Sequence, residues 1–198
     1  MDFSVFNVFV ATAAHLDYVP MILAEMEASA KVRGTGIARR SEAYLSEKIL
    51  EGKAIIAFAY TGQWAGFCYI DAWENGRFVS NSGLIVAPDF RKSGLAKRIK
   101  QHIFALSRQK YPTARIFSLT TGLAVMKLNS QLGYEPVTYS ELPHDEAFWS
   151  QCQTCVNHPI LESKGRKNCL CTAMLFLPAV SASIPFPIEV APKTIHVR

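Results

Sequence analysis

The chain has 198 residues, of which 49% are hydrophobic, and its formal net charge at pH 7 is +5. That length supports one domain with a full core and leaves little room for a second. No apolar run approaches the ~18 residues of a membrane span, and the first residues lack the basic start of a signal peptide, so we expect a cytoplasmic protein without membrane contact. The positive charge suits an anionic ligand but is too small to predict nucleic-acid binding.

The first half of the chain predicts two helices among four strands. A strand over 3–12 comes first, and apolar residues three or four apart then predict a helix over 15–33. Two glycines end that helix, and Ser41 is placed to cap a second helix that runs to Leu50. Three strands follow, separated by short glycine-containing turns: 53–60, 63–73 and 78–87.

The second half begins with a helix over 94–110, because Leu95, Ile99, Ile103 and Leu106 share one face. A strand over 115–121, a helix over 123–132 and a strand over 134–139 follow. We then expect an irregular connection over 141–168, a last strand over 169–177 and an extended or partly disordered tail over 178–198. The folded domain is therefore expected to cover 1–177, with a cysteine-rich connection at 141–171.

A basic turn joins the strand 78–87 to the helix that follows it. It reads Arg91-Lys92-Ser93-Gly94-Leu95-Ala96, which fits neither the Walker A pattern nor the dinucleotide fingerprint. Gly94 and Ala96 leave room for backbone N–H groups to approach a phosphate, and the start of a helix favours an anion. By itself the turn is equally compatible with a solvated basic loop.

The pattern R-x-x-G-x-A in this turn, together with the order of predicted elements, resembles the GNAT superfamily of N-acyltransferases. The resemblance covers residues 3–177 and implies a single α/β (α+β) domain, in which helices flank a central mixed, mostly antiparallel twisted sheet. It also implies that acyl-CoA is the donor and that its pyrophosphate binds at 91–96. In the family the preceding strand contacts the thioester and the pantetheine arm, which by position assigns Leu84 and Val86 to the donor.

Four segments resemble a narrower bacterial GNAT group associated with arginine biosynthesis: 33–38, 81–86, 94–100 and 119–126. Its members are thought to be N-acylglutamate synthases, which implies transfer from acetyl-CoA or succinyl-CoA to the α-amine of glutamate. The loop that selects the acceptor in this fold is 31–40. Its Arg33, Arg39 and Arg40 suit a carboxylate because guanidinium binds that group in bidentate geometry, although a solvated basic loop is the alternative. Thr120 and Thr121 are also assigned to the substrate.

The predicted catalytic residues are Asn129 and Asp71. Aligning Gly133-Tyr134 with the Gly-Phe of the family puts Asn129 where many members carry a tyrosine that protonates the leaving thiolate. A thiol leaves without much help because its pKa is near ~8.5, and a helix-surface or capping role for Asn129 is the alternative. Asp71, at the end of a central strand, is the candidate general base, because a carboxylate can assist deprotonation of the amine through one water.

Four of the five cysteines form the pattern C-x2-C-x13-C-x-C: Cys152, Cys155, Cys169 and Cys171. Two close thiol pairs predict a closed tetrahedral zinc site, with His158 as a substitute ligand. Reduced structural cysteines and redox chemistry are the alternatives. We expect such a zinc ion to hold the connection on the last strand, away from the chemistry.

The sequence therefore predicts an enzyme whose partners are acyl-CoA and a small anionic amine, and it leaves a homodimer open. The alternative is a non-catalytic module on a degenerate GNAT fold, which binds acyl-CoA or uses a zinc knuckle for interactions. The absent tyrosine favours this alternative, whereas the basic turn and the cationic loop favour the enzyme.

Overall fold

The described part of the chain is built on one seven-stranded sheet in a computed structural model. It comprises residues 6–33 and 38–178, without the side chain of Arg33. The strands are β1 (Phe6–Val10), β2 (Ala54–Ala59), β3 (Trp64–Trp73), β4 (Phe78–Val86), β5 (Arg115–Thr120), β6 (Glu135–Pro136) and β7 (Thr172–Phe176). Their order in the sheet is β1-β2-β3-β4-β5-β7-β6, and only the β4–β5 pair is parallel. This mixed, mostly antiparallel sheet confirms the predicted fold class.

The α-helices of the described residues are α1 (Val19–Arg33), α2 (Glu42–Leu50), α3 (Leu95–Lys110), α4 (Leu123–Gln131), α5 (Glu146–Ser150) and α6 (His158–Ser163). Ser41 caps α2 as predicted, because its side-chain oxygen accepts a hydrogen bond from the backbone N–H of Tyr44. The predicted apolar face of α3 is buried. Within the described residues, no helix is both long and apolar enough to cross a membrane.

The first helix starts later than predicted. A 3₁₀ turn occupies Ala13–Tyr18, and α1 begins only at Val19. Proline has no N–H group and its ring clashes with the carbonyl four residues earlier, so a helix accepts Pro20 only in its first turn. The predicted helix over 15–33 is therefore two elements.

The region after α4 also differs from the prediction. The strand predicted over 134–139 is reduced to Glu135–Pro136, although the N–H of Val137 still donates to the carbonyl of Ala173 on β7. The connection predicted as irregular contains α5 and α6. The last strand starts at Thr172, so Cys169 and Cys171 precede it instead of lying on it. The C-terminal tail prediction falls on residues 179–198, outside the described residues.

Apolar side chains bury both faces of the sheet. One cluster joins α3 to the sheet through Ile99 and Ile103, and a second joins α1 and α2 through Ile22 and Leu45. A third cluster lies under the cysteine-bearing connection, and its aromatic members are Trp73, Phe78, Phe117, Tyr139, Phe148 and Trp149. The connection is therefore packed against the sheet.

Strands β4 and β5 separate part-way along their length. They pair from Phe78 with Arg115 as far as Ser80 with Phe117, and both strands then continue without further pairing. The pairing of β3 with β4 is also irregular there, because the register shifts between Phe67 and Tyr69. Together the separation and the bulge open the middle of the sheet, which is where the candidate site lies.

Candidate functional site

A cavity of about 260 Å³ lies where β4 and β5 separate. Its walls are residues 80–84 of β4, residues 117–122 of β5 and the turn after it, Arg40 from the segment before α2, and Gln151 with three cysteines from the connection. Among the described lining residues none carries a carboxylate, whereas Arg40 carries a guanidinium. The charge of the lining therefore favours an anion.

Arg40 is held in a fixed position in this cavity. Its Nε donates to the hydroxyl of Tyr69 at 3.0 Å, its Nη2 donates to Oε1 of Gln151 at 2.7 Å, and its Nη1 donates to the carbonyl of Arg39 at 3.1 Å. Burial opposes the charge, but the neighbouring Tyr69, Tyr44 and Asp71 outweigh it and raise the pKa of Arg40. Within the described residues these bonds use three of its five N–H donors, which leaves two for an anion.

Tyr69 connects Arg40 to the bulge in the sheet. Its ring packs against Gly83, and its hydroxyl accepts the Nε hydrogen of Arg40. Burial raises the pKa of Tyr69, so the hydroxyl keeps its proton at neutral pH. Tyr69 can therefore donate one hydrogen bond into the cavity that it lines.

Asp71, the predicted general base, lies behind the cavity and is absent from its lining. Its carboxylate is 2% exposed, accepts a hydrogen bond from the hydroxyl of Tyr44, and lies 3.4 Å from Nζ of Lys48. Tyr44 in turn accepts a hydrogen bond from Nε2 of Gln151 at 3.0 Å. Tyr44 and Gln151 thus stand between Asp71 and the cavity, and a role of Asp71 as base stays a prediction.

Asn129, the other predicted catalytic residue, is fully buried near the end of α4. Its Nδ2 lies 3.7 Å from Sδ of Met174, and its backbone carbonyl accepts the N–H groups of Leu132 and Tyr134. It does not line the cavity. These contacts describe a residue that closes the end of a helix, and its catalytic role stays a prediction.

The turn predicted to bind pyrophosphate has an open backbone. Lys92 and Gly94 have positive φ angles of 63° and 87°, and Ser93 bonds the carbonyl of Phe90. Among the hydrogen bonds of the described residues, none uses the N–H groups of Lys92, Ser93, Gly94 or Ala96. Leu95 places its side chain in the core. The turn therefore offers four backbone donors at the start of α3, as an anion site requires.

Arg91 has a structural partner that the sequence did not predict. Its Nη2 lies 2.7 Å from Glu25 and 2.9 Å from the hydroxyl of Ser29, both on α1, and its Nε donates to the carbonyl of Val86. Glu25 balances its charge, so Arg91 ties the turn to α1. Of the two residues assigned to the donor on β4, Leu84 lines the cavity and Val86 is buried in the core.

The predicted acceptor residues do not all meet. Arg40, Thr120 and Thr121 line the cavity together. The side chain of Arg39 is 76% exposed and lies 3.7 Å from Glu27 on α1, and it does not line the cavity. The side chain of Arg33 and residues 34–37 lie outside the described part of the chain.

The cysteines lie beside the candidate site, which corrects the expectation that they are remote from the chemistry. Cys152, Cys155 and Cys171 line the main cavity, and all four clustered cysteines line an adjoining cavity of about 30 Å³. The connection folds back over the β4–β5 opening because its aromatic residues pack against Trp73 and Phe117.

The structure does not support the predicted zinc site. Within residues 6–33 and 38–178, no three His, Cys, Asp or Glu side chains are arranged to hold a metal ion. Instead, Sγ of Cys169 donates to the carbonyl of Asn157, and Sγ of Cys155 accepts the N–H of the same residue. Burial, reinforced by the other cysteines, raises the pKa of Cys152 to about 11 and that of Cys171 to about 12. At these pKa values Cys152 and Cys171 keep their protons at neutral pH, a state that is compatible with the reduced structural alternative.

Comparisons with models of protein families and with curated protein sequences found no match. Among solved structures, the chain is similar to N-acetylglutamate synthase from Neisseria gonorrhoeae, complexed with coenzyme A and N-acetylglutamate. The identity is 19% and the TM-score is 0.63, over 88% of this chain and 35% of that one. It is also similar to an acetyltransferase of the GNAT family from Staphylococcus aureus, with 12% identity and a TM-score of 0.54, over 70% of this chain and 89% of that one.

The chain has the GNAT fold. The chain is also similar to a Mycobacterium tuberculosis protein solved in complex with CoA and a second ligand, at 16% identity and a TM-score of 0.61, over 86% of this chain and 98% of that one. The chain spans only about a third of the length of the N-acetylglutamate synthase that it matches. At these identities the similarity shows the GNAT fold, as predicted from the basic turn and the order of elements.

Sequence reasoning missed Tyr69 and Gln151, which line the candidate site, and Tyr44, which bonds Gln151 behind it. Tyr69 lies 29 residues after Arg40, and Gln151 lies 111 residues after it, so no local motif links them. The proximity of Gln151 to the cysteine pattern is the one sequence signal near any of them. It carried no information because the connection was expected to lie elsewhere.

Proposed function

We propose that this protein is an acyl-CoA-dependent N-acyltransferase whose acceptor is a small anionic amino acid, with glutamate as the first candidate. The observation that carries the proposal is the cavity at the β4–β5 opening, where Arg40 is the charged group of the lining. Strand β4 connects this cavity to the open turn at 91–96. The synthase structure with coenzyme A and N-acetylglutamate supports the same ligand pair here. Acetyl-CoA or succinyl-CoA is the proposed donor, and arginine biosynthesis is the proposed context.

The proposed reaction needs few protein groups, because a thioester is already activated. The acceptor amine attacks the thioester carbonyl, and collapse of the tetrahedral intermediate gives an amide and the thiol of CoA. Arg40 holds the acceptor carboxylate, which converts the encounter into an oriented reaction. Since no described lining residue is a carboxylate, the proton of the amine passes to water.

A thiol-release assay on the purified full chain tests this function. The donors are acetyl-CoA and succinyl-CoA, and the acceptor panel contains glutamate, aspartate, glutamine, lysine and a lysine-containing peptide. We expect free CoA to appear fastest with glutamate. If the protein binds CoA but releases no thiol with any amine, the non-catalytic acyl-CoA-binding module is the correct interpretation.

Replacement of Arg40 by lysine is expected to raise the KM for glutamate about tenfold, because lysine keeps the charge but loses the planar fork that binds a carboxylate. The KM for the acyl-CoA donor is expected to stay within about twofold. Steady-state kinetics with each substrate varied in turn measures both values.

Arg39→Lys is the matched control for this prediction. It makes the same exchange at the adjacent arginine, whose side chain is exposed and paired with Glu27. An equal rise of the glutamate KM in both variants would show that the loop acts through its general charge, and not through Arg40 in the cavity.

A further inference from the structure

A chain of hydrogen bonds runs from a buried carboxylate to the cation of the cavity. It links Asp71 to the hydroxyl of Tyr44, Tyr44 to Nε2 of Gln151, and Oε1 of Gln151 to Nη2 of Arg40. The four residues come from the segment before α2, α2 itself, β3 and the cysteine-bearing connection. Gln151 is the member of this chain that bonds both Arg40 and Tyr44.

The direction of each bond in the chain is determined by chemistry. Tyr44 donates its single hydroxyl proton to the carboxylate of Asp71, which lies beside Lys48. The oxygen of Tyr44 is then an acceptor, and it takes a proton from the amide nitrogen of Gln151. The amide carbonyl must therefore face Arg40, where it accepts from the guanidinium at 2.7 Å.

The orientation of the Gln151 amide matters because its oxygen accepts hydrogen bonds and its NH₂ group donates them. With its oxygen towards Arg40 the amide anchors the guanidinium, whereas its NH₂ group would repel it. Tyr69 supplies the second side-chain anchor, on Nε. Arg40 also lies over the Tyr44 ring, with 5.4 Å between Cζ and the ring centroid. Two side-chain anchors, the Arg39 carbonyl and one aromatic face thus hold the guanidinium, and no carboxylate of the described residues pairs with it, so its charge remains available to a ligand.

We propose that Gln151 is the positioning residue that determines selectivity for an anionic acceptor, with its amide oriented by Tyr44 and Asp71. The inference rests on the proposed acyltransferase function and assigns its acceptor selectivity to the connection as well as to the loop 31–40. A neutral anchor is what this role requires. A carboxylate at the same position would pair with Arg40 and cancel the charge that an anionic acceptor needs.

The decisive variant is Gln151→Glu in the full chain. Its carboxylate accepts from Arg40 but cannot donate to Tyr44, so it neutralises the guanidinium with little change of size. We expect the KM for glutamate to rise about tenfold or more, with kcat and the donor KM within about threefold of wild type. We also expect the preference for glutamate over glutamine to fall by about tenfold, a change that general loosening of the wall would not produce.

Two further variants separate charge from packing. Gln151→Met removes both amide hydrogen bonds without adding charge, and we expect a rise of about threefold in the glutamate KM. Gln63→Glu makes the same change of charge on the exposed turn before β3, and we expect wild-type kinetics. If Gln151→Glu keeps the glutamate KM and the selectivity of wild type, the inference is overturned while the proposed function stands.

A binding measurement decides the inference independently of turnover. Glutarate, a dicarboxylate without an amine, is titrated against the thermal unfolding midpoint of each variant in the presence of CoA. We expect glutarate to raise the midpoint of wild type and Gln63→Glu, and to need about tenfold higher concentration for the same rise in Gln151→Glu. If wild type acylates no amine, the proposed function fails. The inference is overturned if glutarate protects wild type and Gln151→Glu equally, or protects neither.

Discussion

Replacement of Gly83 by alanine is expected to lower the free energy of unfolding by about 3 kcal/mol. Gly83 has a φ angle of 66°, where a side chain is strained. An added Cβ would also overlap Cε1 of Tyr69 and lie 2.8 Å from Cδ1 of the same ring. The ring cannot simply move aside, because its hydroxyl accepts the Nε hydrogen of Arg40. Equilibrium unfolding in urea measures the loss.

Gly62→Ala is the matched control for this experiment. Gly62 has a similar φ angle of 81°, but no atom lies within 4 Å of the position of an added Cβ. It therefore carries the backbone strain alone, and we expect a loss of about 1 kcal/mol. Equal losses at the two glycines would show that the contact between Gly83 and Tyr69 contributes nothing to stability.

Replacement of Lys100 by methionine is expected to stabilise the protein at pH 7 by about 3 kcal/mol. Lys100 is 1% exposed, and its Nζ has only Oδ1 of Asn81 at 3.5 Å and the ring of Tyr134, 5.2 Å away, as partners among the described residues. Within that part of the chain no ion pair includes it. Methionine fills similar space without a buried charge.

The same variant makes a prediction about pH. Burial lowers the pKa of Lys100 to about 8, against an ordinary value of 10.5. Below pH 8 both states bind the proton and the full cost of the buried charge is present. Between pH 8 and 10.5 the unfolded state binds more protons, so the wild type becomes more stable relative to the variant as pH rises. The difference in the free energy of unfolding between the methionine variant and wild type should therefore vanish near pH 10.5.

Urea unfolding of both proteins from pH 7 to pH 10 measures this difference, and titrations that the two share, including that of the nearby Cys68, largely cancel. Lys97→Met, on the exposed side of the same helix, is the control and should change stability by less than about 0.5 kcal/mol at every pH. If the methionine variant stays more stable than wild type by the same amount at every pH, burial of the charged form of Lys100 is not what destabilises the wild type.

The elements that the sequence predicted well are those whose determinants are local. Ser41 caps α2 from three residues away, and the apolar face of α3 repeats along one helix. Gly133 follows the end of α4 with a positive φ angle, and its N–H donates to the carbonyl of Ser130, only three residues earlier. At the start of α1 the prediction was wrong because Pro20 is accepted only in the first turn of a helix, although the apolar pattern begins earlier.

The site was only partly predictable, because its members meet through tertiary packing. Arg40, Thr120 and Thr121 were predicted to contact the acceptor, and the three line one cavity. Asp71 and Asn129 have polar side chains at plausible positions, but burial places both outside that cavity. The residue type and its position along the chain do not reveal whether a side chain lines the cavity or is buried behind it.

The order of the main strands and helices, the cap of α2 and the basic turn before α3 could be predicted from the sequence, because hydrophobic period, capping and glycine geometry act within a few residues. The full lining of the cavity, in contrast, follows only from tertiary packing. This packing brings Gln151 and the cysteines over the β4–β5 opening through the aromatic cluster beneath them, and it sets Tyr69 and Gln151 around Arg40. Contacts between residues so far apart depend on the whole packed core, which no local pattern encodes.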